Sequence, residues 1–144
     1  MTPKQISIAR RKIWDSICFT LDESWVIGEL LEKHKQLPES STVELYIKSK
    51  ARSNINSRID TEISAEAELL SKLRQYIPNK ASRSFIFTVF NDTCKKAFQL
   101  GAYHTKENGY VPAFFDTLTQ EYDTLRLTLY NEIEKELNNE SSNP

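Results

Sequence analysis

The side chains able to do chemistry are few and far apart. The 144 residues include two histidines, His34 and His104, and two cysteines, Cys18 and Cys94. A di-iron helical bundle needs Glu-x-x-His on two helices with further inward-facing carboxylates. Three positions before His34 stands Leu31, and three before His104 stands Gly101, so neither histidine fits. His104 and Glu107 make one isolated H-x-x-E in a connector. Such a histidine reads best as the end of a helix, beside the last free carbonyls. A nucleophilic cysteine needs a base and a lowered pKa. Cys18 and Cys94 instead lie in apolar stretches, as reduced core residues of a cytosolic chain do, with a disulfide between them the lesser reading. With three glycines in the chain and no Gly-rich phosphate loop, G-x-S-x-G or C-x-x-C, a nucleotide cradle is hard to build. The expectation is no catalytic residue, no cofactor, no metal, and a chain that leans away from being an enzyme.

Basic side chains offer a second kind of chemistry. They cluster without acidic neighbours at residues 4–12, 48–58 and 72–83. Phosphate tracking needs such charges on one face. Arg10, Arg11, Lys48 and Arg52 are the candidates for an accessory nucleic-acid surface joining the N-terminal helix to the 48–58 stretch. On a helical wheel Lys48 and Arg52 lie about 40° apart, whereas Lys50 and Arg58 point elsewhere. The pI of about 6.2 is not that of a basic nucleic-acid binder. The whole chain has a charge split. Residues 1–106 hold 17 basic and 12 acidic side chains, a balance of +5, and residues 107–144 hold 2 and 8, a balance of −6. A C-terminal helix packed beside basic helices accounts for the split within one fold. An acidic tail or a polar partner surface is the other reading.

The elements that carry these residues are helical. Pro3, Pro38, Pro78 and Pro112 divide the chain, and proline is tolerated in the first turn of a helix but breaks its interior. Thr2 caps a first unit over 3–36, where Ile6, Ala9, Ile13, Ile17 and Leu21 follow helical spacing. Its pattern keeps phase past a point near Asp22 where a kink is plausible. "STVE" (41–44) has the form of a capping box opening a second unit over 42–77. There Ile47, Ala51, Ile55, Ile59, Ile63 and Ala67 recur every four residues, a step that drifts about 40° each time. Such a helix must bury different faces at its two ends or be kinked or broken, and "SNINS" (53–57) is the weakest place.

A third unit over 82–103 is apolar over an arc of about 220°, wider than a surface helix needs. After a connector with an Asn108–Gly109 turn signal, Phe114, Phe115, Leu118, Tyr122, Leu125, Leu129, Ile133 and Leu137 make one stripe. No segment alternates with the period of two that a strand requires.

The fold expected is all-α: a single-domain helical bundle of about four long helices over residues 1–137, with a disordered tail at 138–144. No apolar run reaches the roughly 18 residues of a transmembrane segment, and the N-terminus lacks a signal-peptide core, so the chain reads as cytoplasmic. The function expected is an interaction or assembly module that binds another protein or itself, as a hetero- or homo-oligomer. Phe85, Phe87, Tyr103, Tyr110 and Phe114 are its candidate partner-binding residues, because aromatic side chains often anchor interfaces.

Overall fold

The computed structural model describes residues 1–142. It holds four long helices in up-down-up-down order: α1 (Pro3–Gln36), α2 (Thr42–Tyr76), α3 (Lys80–His104) and α4 (Pro112–Ser142). Each helix start is satisfied locally. Thr2 accepts from the Gln5 N–H at 3.2 Å, and the Gln5 side chain accepts in return from the Thr2 N–H at 2.8 Å, with Pro3 at the first helical position. Ser41 accepts from the Glu44 N–H, but the Glu44 carboxylate reaches one residue further back, to the N–H and hydroxyl of Ser40. Asn79 caps α3 through Ser82. Ahead of Pro112 the Tyr103 hydroxyl accepts from the Val111 N–H at 2.7 Å, and the connector turns at Gly109, whose φ of 80° suits only glycine well.

Polar pairs fix the register. Ser24 with Glu62, Glu23 with Arg58 and Ser16 with Lys72 run α2 antiparallel to α1; Lys96 with Glu121 does the same for α3 and α4. The main core gathers Ile13 and Ile17 of α1, Leu69 and Leu73 of α2, Phe90 of α3 and Leu129 of α4, all effectively inaccessible to solvent. The stripe foreseen on α1 faces this core, and so does that on α4 from Tyr122 to Leu137; of its first members Leu118 is buried outside the main core, Phe115 is half-buried and Phe114 is half-exposed.

The tightest packing lies between α1 and α3, which run parallel through the middle of the bundle. A Cβ built on Gly28 would lie 2.2 Å from the Phe98 carbonyl oxygen, and one on Gly101 would lie 2.1 Å from the Trp25 carbonyl oxygen. The two backbones therefore touch across a seam in which no side chain fits. The wide apolar arc on the third unit has its explanation here. α3 packs on α1 and α4 along its length and meets α2 at points, so it is the central helix that such an arc requires.

Two expectations need correction. α2 is helical without interruption through 53–57. Ser53, Asn54, Asn56 and Ser57 are exposed while Ile55 between them is buried, so the polar side chains face water and do not displace the backbone ladder. Nor does α2 bury its two ends on different faces. It buries one line, Ile55, Ala65, Leu69 and Leu73, and leaves the drifted members of the four-residue series, Ile47 and Ile63, in solvent. At the C-terminus, α4 continues as helix to Ser142, into the stretch expected as a tail; residues 143–144 of that stretch lie outside the described residues.

Candidate functional site

α2 is longer than the bundle that supports it. Cys94 of α3 sits beside Glu62 and Glu66 of α2. Ten residues further on, α3 ends at His104, level with about residues 52–56 of the antiparallel α2. Residues 42–54 include no buried position, and Ile55 is the first. So the first three turns of α2, roughly 17 Å of helix, project past the end of α3. Only the last turns of α1 accompany them.

This overhang is not a polar extension. Val43, Tyr46 and Ile47 are 68%, 62% and 50% exposed. With Lys50 they occupy positions i, i+3, i+4 and i+7, one flank of the helix. The Lys50 ammonium lies 5.6 Å from the centre of the Tyr46 ring. Leu45 faces the other flank and, with His34, Glu39, Lys48 and Arg52, lines a shallow cleft of about 200 Å³ against the end of α1. Residues 33–58 carry six basic side chains (Lys33, Lys35, Lys48, Lys50, Arg52, Arg58) against Glu39 and Glu44, a balance of +4.

The partner-binding residues expected from the sequence fall into two groups at opposite ends of α3. Phe85 is 46% exposed near the start of α3, and Phe87 is half-buried against Phe90, with ring centroids 5.9 Å apart. Tyr103, Tyr110 and Phe114 lie about 27 Å away along the helix. They stack on one another, with centroids 5.4 Å apart for Tyr103–Tyr110 and 4.9 Å for Tyr103–Phe114, and pin the connector to the end of α3. His104 lies between Trp25 and Phe115 in the same plug. The basic residues are divided likewise. Arg10 forms a bidentate pair with Glu134 at 2.5 and 3.0 Å, and Lys48 pairs with Glu39. Arg52, beside His34, is some 24 residues of α1 away from Arg10, about 36 Å. Arg11 is exposed at Arg10's end.

Sequence reasoning missed one polar constellation. Ser24 of α1, Glu62 and Glu66 of α2, and Cys94 of α3 meet at the rim of a cavity of about 580 Å³. The ligating atoms of Glu62, Glu66 and Cys94 lie within 4.8 Å of one another, and the Ser24 hydroxyl donates to Glu62 at 2.9 Å. The only local signal was the i,i+4 spacing of the two glutamates. Burial pushes the Cys94 thiol up to about 12, which keeps it protonated at neutral pH and unfit as a nucleophile. Burial also raises both carboxyls, and Glu62 raises Glu66 further. Neither histidine lines the cavity. As a metal donor set the trio falls short of the four ligands of a structural zinc site, and binding would have to displace a tightly held thiol proton.

The raised carboxyls have a measurable consequence. A carboxyl whose folded pKa exceeds its unfolded value stabilises the fold most below the unfolded value, near 4.3, and loses that contribution as pH rises through the folded value. Glu62→Gln keeps the acceptor for Ser24 and removes the charge. It is expected to raise stability at neutral pH by less than about 1 kcal/mol, because the site is half-solvated. The gain should vanish below about pH 4. Urea unfolding of both proteins across pH 4–8 tests this, and a variant destabilised at neutral pH would contradict it.

Comparison with protein families, curated proteins and solved structures finds no match to this chain. Among the described residues no helix is long and apolar enough to cross a membrane.

Proposed function

We propose that this chain is a non-enzymatic cytoplasmic interaction module that binds a polypeptide partner through the overhanging first three turns of α2. The observation that supports this is the exposure of Val43, Tyr46 and Ile47 together on one flank of a helix that the bundle does not need there. Contiguous exposed apolar residues rimmed by polar ones mark interaction sites more often than chance placement does. The face also has the makings of an energetic centre: a tyrosine with an adjacent cation and two aliphatic neighbours. The aromatic plug at Tyr103, Tyr110 and Phe114 is already engaged in holding the α3–α4 connector. The nucleic-acid alternative has less support, since its cations sit at opposite ends of the bundle and two of the four are paired with glutamates.

The double variant Tyr46→Ala, Ile47→Ala separates an interaction role from a folding role. It is expected to leave the thermal midpoint within about 2 °C of the wild type, since surface changes away from special features move stability by at most about 0.5 kcal/mol. It should also weaken association at least about 30-fold, the scale of a lost anchor residue. A variant that unfolds early while keeping its associations would show that the face serves the fold.

A further inference from the structure

Resting on that reading, we infer that the partner of the overhang is a second copy of this chain, and that the surface it meets is the outer flank of α4. Asp116, Asp123, Leu127 and Tyr130 are spaced i, i+7, i+11 and i+14, which places them on one side of α4. All four are exposed, Leu127 by 60% and Tyr130 by 44%. At Asp116, Asp123 and Leu127 this side faces away from Leu118 and Leu129; toward the C-terminus it runs into the bundle, where the Tyr130 ring meets Trp14 of α1 edge-on at 5.7 Å and Leu137 is buried. Other acidic residues of α4 are used within the fold: Glu134 by Arg10, Glu121 by Lys96 and Glu136 by Ser82. Among the described residues Asp116 and Asp123 have no ion-pair partner, and neither have Lys50 and Arg52 on the overhang.

The two surfaces are complements. One is apolar and basic, on a stretch with a balance of +4; the other is apolar and acidic, in a C-terminal region with a balance of −6. Each offers at least one exposed aliphatic side chain beside charges of one sign; Tyr46 stands on the overhang beside Lys50, and on α4 the Tyr130 ring is half-exposed with one edge on Trp14. Opposite potentials of this kind steer encounter and fix which faces meet. Arg10–Glu134 and Lys96–Glu121 answer part of the sequence's charge asymmetry inside the fold. Lys50, Asp116 and Asp123 carry part of what is left on these two faces, where a second copy answers it. Made twice about a two-fold, the contact closes an isologous dimer; made once per pair, it is heterologous and gives a ring or a chain of copies.

Sedimentation equilibrium on the full chain, from about 1 to about 300 µM at low salt, is the test. Expected is a mass that rises above the monomer with concentration and falls back as salt is raised toward about 0.5 M. Lys50→Glu and Asp123→Lys should each weaken association about three- to tenfold, and the chain carrying both changes should recover most of it, because the pair is restored with its signs exchanged. A monomer across the range overturns the inference, and so does an oligomer in which the double variant is no better than the single ones. A monomer that still binds a different polypeptide, and loses it with Tyr46→Ala, overturns this inference while leaving the overhang as an interaction face.

Discussion

Alanine at Gly101 is expected to destabilise the bundle by about 2–3 kcal/mol, and alanine at Gly28 by a similar amount. In an ordinary exposed helix the same change would stabilise by about 1 kcal/mol, because alanine is the better helix former. The sign is therefore diagnostic. At Gly101 the new methyl would lie 2.1 Å from a backbone oxygen of α1, and at Gly28 2.2 Å from one of α3. A backbone oxygen cannot rotate away as a side chain can, so the two helix axes must separate. Separation also costs contacts made by Ile27 and Leu100, buried next to the glycines. Once the first methyl has opened the seam, the second has less to disrupt, so the double variant should cost less than the sum. Urea unfolding with an unchanged m-value reads all three proteins. Alanine variants as stable as the wild type would mean that the seam is not closed.

The second large effect separates two phenylalanines of one helix. Phe90→Ala should cost about 3–5 kcal/mol, since Phe90 is fully enclosed at the centre of the core. Phe85→Ala should cost less than about 1 kcal/mol, because nearly half of that side chain already faces water. Both belong to the wide apolar arc of the third unit, which treats them alike. Paired urea titrations decide between them; equal losses would show that Phe85 is packed as deeply as Phe90.

That pair shows what was legible in the sequence and what was not. Helix starts at Thr2–Pro3 and Ser41 are written in a few adjacent residues, and the α1 and α4 stripes follow from spacing alone. These features depend on local chemistry. The arc on α3 announces a helix with many neighbours, but only the positions of α1 and α4 decide that Phe90 is covered and Phe85 is not. The four-residue series on α2 was misleading for a similar reason. Ile47 and Ile63 keep the spacing, yet a straight helix buries a line that advances 3.6 residues per turn, and Ala65 and Glu62 fall on that line while Ile63 does not.

The features that bear on function are the least local. The Gly28–Gly101 contact joins residues on separate helices with no mark of pairing in either neighbourhood. The cluster of Ser24, Glu62, Glu66 and Cys94 draws on three helices, and only the glutamates share a spacing. "KSKARSNINSRID" (48–60) reads as a basic motif, but its meaning comes from the lengths of α2 and α3. It straddles the point where α3 stops, so its first residues are free to present Lys50 beside Tyr46, while Ile55 and Arg58 are already docked on the bundle.

The most direct test of the central claim is contact itself. A photoreactive side chain placed at position 46 of the full chain, with a second placed at position 114 for comparison, reports by mass spectrometry what each position touches. The overhang account predicts intermolecular adducts from position 46 that are absent or far weaker from position 114. Adducts from position 114 alone, or only intramolecular ones from position 46, would contradict it.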